Sequence, residues 1–554
     1  IAGQVRELSR IYVDAVSGRN GQKLWHWRTD LNHGDTTPVG SPFWWGRRPD
    51  GWPLLALPIG GTKAPERFAK NPYFTPDPPV VHLLAAATGR EAHVVEGLSR
   101  PGTADLDGDG LADLWGAVDG KVRAFRALAP EAWRALGGFQ PAGDLDGDGV
   151  SDVVSNDLKA PQVGRDPKPD SGTAIARSGR DGRILWQALL DPWENRFFWG
   201  DWAVSYGVEP LKVPAGDLDG DGAPDIVVHR STSWTHNNQR RAGIRLQALS
   251  GRTGRTLWPA GALPYVDSNI GIPYVAGIDA AACKGWGRSD VFVLHHNFVK
   301  QSSIPPFTFS VQSRLARLSS RDGRLIWDVL LAEYKGGMKS RRDFVYEFAD
   351  LDGDGSLEMV LLFNGKAPAG TVPFEVRVLS LATGDTRWSH PLNPRAVGSP
   401  TCVVGDLDGD KRPEVVVSEQ PIVQGLPLTE VTALDGETGT PRWVWRGSAG
   451  RDVTYQDVAL VLADFDGRGR REVCVSFGVA PECRRVEILD SQGRSRGARD
   501  TESVNLAELI NVDLDGDGRD ELLFRDAGRL CAVRGDLTEI WSWPTREPIR
   551  EVLP

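Results

Sequence analysis

The string Asp-Leu-Asp-Gly-Asp stands six times in the chain, at Asp105, Asp144, Asp217, Asp350, Asp406 and Asp513. With Asp and Gly each at roughly one residue in fifteen, a single D-x-D-G-D-G match is expected about once in 10⁶ positions, so these copies report an internal repeat. Two eroded echoes stand at Asp464 (DFDGRGRRE, with Arg468 where the third Asp belongs) and at Asp279 (GIDAAACKGWGRSD). An acidic turn recurring every 40 to 75 residues or so demands supersecondary units packed against one another.

A second signature falls between successive acidic loops: an alternating run, a Gly-containing turn, then Trp. RLQALSGRTGRTLW ends at Trp258, ARLSSRDGRLIW at Trp327, RVLSLATGDTRW at Trp388 and VTALDGETGTPRW at Trp443. Period-2 alternation about such a turn is a β-hairpin signal. Each acidic loop is also followed by a β-rich run, such as DIVV after Pro224 or EVVV after Pro413. Each unit therefore reads strand, acidic loop, strand, strand, Gly turn, strand ending in Trp. That is one four-stranded antiparallel sheet, and repetition without helical periodicity predicts an all-β propeller. The recurrent Trp is expected to fill the wedge between neighbouring blades.

The repeats predict eight main blades over 100–545, starting near 100, 140, 213, 273, 345, 401, 459 and 508. Residues 1–99 read as extra blade-like units: a half-blade ending at Trp25 and a blade without acidic ligands. Residues 546–554 read as a terminal strand that closes the ring or starts a further blade. The chain opens at Ile1, which reads as a processed or partial chain.

The loops carry metal-ligand chemistry. Calcium takes six to eight oxygens, and a nine-residue loop with carboxylates at positions 1, 3, 5 and 9 and a carbonyl at 7 wraps it. The sets are Asp105, Asp107, Asp109, Leu111 and Asp113; Asp144, Asp146, Asp148, Val150 and Asp152; Asp217, Asp219, Asp221, Ala223 and Asp225. The remaining three are Asp350, Asp352, Asp354, Ser356 and Glu358; Asp406, Asp408, Asp410, Arg412 and Glu414; Asp513, Asp515, Asp517, Arg519 and Glu521. An EF-hand needs Glu at position 12, where this chain has Gly116, Ser155, Val228, Leu361, Val417 and Phe524. Four carboxylates in one loop repel unless a cation neutralises them, so about six calcium ions are expected. At the Asp464 and Asp279 copies no ion is expected.

Six calcium ions bring +12 against a formal net charge of −10, leaving about +2. The apparent acidity thus belongs to the sites, and no basic cluster points to nucleic acid. No apolar run is long enough to span a bilayer. The five cysteines (Cys283, Cys402, Cys474, Cys483, Cys531) contain no CxxC, and their expected state is buried thiols, with a Cys474–Cys483 disulfide as the alternative.

GDLDGDGVSDVVS and GDLDGDGAPDIVV resemble the FG-GAP repeats of integrin-type propellers, in which calcium staples the first hairpin of each blade. ALDGETGTPRW and ALSGRTGRTLW resemble the Trp-ended blade motif of quinoprotein propellers that bind pyrroloquinoline quinone. The resemblance to secreted and surface-anchored bacterial FG-GAP proteins implies a location outside the cytoplasm, at the cell surface or in the periplasm, which agrees with calcium sites of millimolar affinity.

The leading functional expectation is a calcium-stabilised binding, adhesion or assembly module without catalytic activity. A quinoprotein dehydrogenase is the first alternative, and a calcium-dependent lyase like the rhamnogalacturonan lyases is the second. A protein or carbohydrate partner is expected at aromatic-rich insertions read as loops, which offer Trp193, Phe198, Trp199, Trp202, Trp234, His236 and His295.

Overall fold

In the computed structural model the described residues are 10–30, 43–47, 53–59, 80–96, 99–104, 113–118, 121–125, 133–136, 139–157, 173–190, 206–207, 216–236, 239–262, 274–281, 290–300, 309–335, 344–363, 375–393, 396, 400–424, 426–448, 458–480, 483–502, 509–526 and 528–544. Among them every regular element is a β-strand and every pairing is antiparallel. They form eight four-stranded sheets, one five-stranded sheet and a two-stranded hairpin. Eight sheets follow one another over 99–136, 139–189, 206–262, 274–335, 344–391, 401–448, 459–501 and 510–544, the main blades of a β-propeller. The sheet 43–96 and the hairpin 10–30 precede them.

There is no single core. Each apolar cluster lies between two adjacent sheets: Val360, Val376, Val378 and Trp388 of one blade meet Val404, Val415, Val417 and Leu434 of the next. The next interface repeats the arrangement with Val416, Val431 and Ala433 against Leu460, Val473 and Val475. Strand alternation alone would cover one face. These sheets bury both faces, which is why their second strands read as continuous runs such as Glu414–Glu419.

The tryptophans sit at these interfaces. Trp186 donates its indole N–H to the Gly251 carbonyl at 2.6 Å, Trp388 to Gly436 at 2.9 Å and Trp443 to Ser491 at 2.9 Å, each in the following blade. The turn glycine of that blade lies under the ring. A Cβ on Gly254, whose φ is +70°, would stand 2.5 Å from Trp186, and one on Gly439, also at +70°, 2.5 Å from Trp388. The Gly turn of one unit and the Trp of the unit before it are thus two halves of one joint. Trp258 is the exception, since its buried Nε1 has no hydrogen-bond partner among the described residues.

The hairpin 10–30 occupies the seam of this array. Trp541 of the last blade donates to the Gly18 carbonyl, and Trp25 of the hairpin donates to Ala86 of the 43–96 sheet. Val16 packs against a cluster containing Leu523, Ala532 and Trp541. The terminal segment 546–554 lies outside the described residues.

Two sequence expectations need correcting here. Trp234 and His236 are not on a loop: they lie on the strand Ile226–His236, paired with Arg241 and Gln239 in a lengthened hairpin. His295 is not on a loop either. It lies on Asp290–Lys300 in a sheet whose strands reach 11 residues, and it is fully buried 3.5 Å from Asp328. Polar residues inside a lengthened strand imitate a loop composition, and cross-strand pairing decides against it. Trp193, Phe198, Trp199 and Trp202 lie outside the described residues, as does Cys283. Cys474 and Cys483 are both free thiols; they lie on adjacent strands, but Cys474 faces Ile488 and Cys483 faces Ala480.

Candidate metal centres

Five of the six acidic loops fall within the described residues. In each, three carboxylates bring ligand oxygens within 4.8 Å of one another: Asp144, Asp146 and Asp152; Asp217, Asp219 and Asp225; Asp350, Asp352 and Glu358; Asp406, Asp408 and Glu414; Asp513, Asp515 and Glu521. These are positions 1, 3 and 9. Position 5 (Asp148, Asp221, Asp354, Asp410, Asp517) is not in the cluster and instead accepts the backbone N–H of position 7, as Asp148 does from Val150 at 2.9 Å. Of the first loop, Asp105, Asp107, Asp109 and Leu111 lie outside the described residues, and Asp113 opens the strand Asp113–Val118.

The backbone explains why the string is so strict. The position 1 carboxylate gathers N–H groups from the rest of its own loop: Asp217 accepts from Gly220 at 2.6 Å, Asp221 at 3.1 Å and Gly222 at 2.8 Å. Glycine at positions 4 and 6 has φ of +85° and +86° in that copy, a region open to it without a Cβ penalty. Asp406 accepts likewise from Gly409 and from Lys411, which takes φ of +69° in place of glycine.

Position 9 is the buried anchor. Asp225 accepts from the Leu218 and Asp219 N–H groups at 2.6 and 3.0 Å on one oxygen and from Gly251 at 2.8 Å on the other. Asp152 does the same with Leu145, Asp146 and Gly179. Gly251 is also the residue whose carbonyl receives Trp186, so the acidic loop and the inter-blade joint meet in one residue. Burial pushes the Asp152 and Asp225 carboxyls up to about 6 and Glu414 up to about 7, with neighbouring loop aspartates adding to the rise. Burial raises Glu358 and Glu521 as well.

The donor set fits a hard cation. The clusters contain carboxylate oxygens and neither His nor Cys, which suits calcium and disfavours soft transition metals. One oxygen, Asp350 Oδ1, is buried with no hydrogen-bond partner among the described residues, in the cluster with Asp352 and Glu358, a place a cation would satisfy.

The eroded Asp464 copy keeps the frame, with no three-acid cluster there among the described residues. Asp464 still accepts from Gly467, Arg468 and Gly469 at 2.8, 3.2 and 2.6 Å. Its position 9 acid, Glu472, pairs instead with Arg496. In the other copy the residue that matters is Asp290, whose Oδ1 accepts from Ser320 at 2.9 Å just as Asp225 accepts from Gly251. Sequence reading anchored that copy on Asp279, which is a paired strand residue opposite Phe292. The signal that finds Asp290 is an acid directly before an apolar strand, SD-VFV beside PD-IVV. The arginines beside the acids went equally unnoticed in sequence: Arg387 Nη2 reaches Asp352 and Nη1 Glu358, both at 2.6 Å, and Arg442 Nη1 reaches Asp408 and Glu414, both at 2.7 Å. Against burial, the Arg387 hydrogen bond holds Asp352 below the usual carboxylate range.

No family model matches the chain, and no curated protein does. Among solved structures it is similar to BamB from Moraxella catarrhalis, at 15% identity and TM-score 0.29 over 77% of this chain and 92% of that one. It is similar to the rhamnogalacturonan lyase YesW, at 15% identity and TM-score 0.35 over 99% and 82%. It is similar also to the V. cholerae biofilm matrix protein Bap1, at 15% identity and TM-score 0.23 over 95% and 91%.

Proposed function

We propose that the chain is a calcium-stabilised propeller that acts as a non-catalytic binding, adhesion or assembly module outside the cytoplasm. The observation that carries this reading is the recurrence of one three-carboxylate cluster in five blades, each built on an acid that braces its own sheet. A catalytic metal is used once, at a place where substrate and acid–base groups converge. Here the clusters are spread along the array and tied to the packing of blades, as staples are. All-oxygen sites of exposed loops suit the 10⁻⁴–10⁻³ M range or so of extracellular calcium modules, which supports the location. The partner is expected to be a protein or a carbohydrate. No helix among the described residues is long and apolar enough to cross a membrane.

Native mass spectrometry with elemental analysis tests the reading. Several calcium ions and no organic cofactor are expected. A chain that retains no divalent ion in millimolar calcium, or that carries a bound quinone, would sink it.

A further inference from the structure

We infer that Arg387 and Arg442 are built-in competitors for the cation, so that the Asp350 and Asp406 loops bind a divalent ion more weakly than the Asp144, Asp217 and Asp513 loops. The inference rests on the metal reading above and adds a division among the sites. Each of these arginines stands directly before its blade tryptophan, Trp388 or Trp443. There the guanidinium reaches two carboxylates of one cluster at once, Asp352 with Glu358 and Asp408 with Glu414, at 2.6 to 2.7 Å. Those are positions 3 and 9, two of the three groups whose oxygens an ion would need.

In the other three loops the equivalent residue is apolar: Leu185 before Trp186, Leu257 before Trp258 and Ile540 before Trp541. The outer oxygen of the position 9 acid then faces a backbone N–H, from Gly179 for Asp152 and from Gly251 for Asp225. Arg183 approaches the Asp144 loop from three residues before Trp186, but of the three clustered acids it reaches Asp146 alone, it also pairs with Asp181, and its side chain is 58% exposed, against 29% for Arg387. It is a surface ion pair that an entering cation displaces at little cost.

The eroded blades show what the arginine substitutes for. In the Asp464 copy, Arg496 stands three residues after Gly493 as Arg387 stands three after Gly384, and it holds Glu472 by both oxygens. In the eroded Asp279 copy, Arg317 holds Asp290 at 2.8 and 2.6 Å. So where the three-acid cluster has lapsed, a guanidinium neutralises the position 9 acid. The Asp350 and Asp406 loops combine the intact cluster with that same guanidinium, and metal and arginine contend for the same oxygens. Each charge-assisted hydrogen bond the ion must break weakens binding by about tenfold or more.

The test is equilibrium dialysis of the full chain against limiting calcium, with bound calcium counted by elemental analysis. In R387L/R442L, which installs the residue found in the Asp144 and Asp217 loops, about two more ions per chain are expected in the tight class, with affinity at those loops raised tenfold or more. The reciprocal variant is I540R. Ile540 lines a cavity of about 370 Å³ with Asp515, Asp517 and Glu521, so an arginine has room there, and one ion should leave the tight class. If the parent chain binds calcium and both folded variants keep its ion count, the inference is overturned and the metal reading stands. If the parent binds none, both fall.

Discussion

Trp541 donates its indole N–H to the carbonyl oxygen of Gly18, a residue 523 positions earlier in the chain. The contact repeats, at the seam, the joint that Trp186 makes with Gly251 between consecutive blades. The hairpin 10–30 therefore enters the array as a blade element, with its own Trp25 passing the pattern on to Ala86.

A methyl group at the seam should loosen it. In Gly21→Ala the new Cβ would stand 2.5 Å from the Cβ of Trp541 on a backbone with φ of +64°. Overpacking of this kind costs about 1–3 kcal/mol, and the left-handed backbone adds to it. Urea unfolding followed by Trp fluorescence should show the midpoint falling, whereas Arg19→Ala, beside it, should leave the midpoint nearly unchanged.

Position 9 should matter more than position 5 for the fold itself. Asp225 is fully buried and accepts three backbone N–H groups, while Asp221 is exposed. Asp225→Ala leaves those donors unmet at about 1–3 kcal/mol each, partly recovered by water, and Asp221→Ala should cost under about 1 kcal/mol in metal-free protein. Chemical denaturation in EDTA reads the difference. Equal losses would contradict the assignment of position 9 as the brace.

Removing metal should lower the melting temperature, because an ion that binds the native state alone stabilises it by mass action. At 100 times Kd each site contributes about 2.7 kcal/mol. Differential scanning calorimetry in EDTA and then with calcium restored should show a fall and a recovery that scales with free calcium.

Acid should weaken the 274–335 blade through Asp328. Burial opposes its charge, but hydrogen bonding and charge from His295, with Arg314, hold its carboxyl below the usual value of 3.8. A depressed acid gives stability that is complete above the unfolded value and lost as pH falls from there through the folded one. Asp328→Asn should therefore unfold more readily than the parent near neutral pH and approach it below about pH 4. A constant difference across that range would remove the carboxylate from the account.

The acidic string and the Gly–Trp spacing were enough to give an all-β propeller and its loops, because both are local. A D-x-D-G-D turn folds on its own backbone N–H groups, as Asp217 does, and period-2 alternation needs no distant partner to be read. What stayed hidden lies between units. Sequence could not pair the Gly254 turn with Trp186 of the blade before, nor set Arg387 across Asp352 and Glu358, since strand pairing and blade packing bring these residues together. His295 shows the same limit, a polar residue in a loop-like string that three long strands bury beside Asp328. The chain's local chemistry fixed the acidic loops, and tertiary packing alone decided which three carboxylates of each loop come together, which acids brace a sheet, which face an arginine, and where the first hairpin sits. The physical reason is range: a turn is closed by its neighbours in sequence, while a joint or an ion pair between strands exists only once the sheets have met.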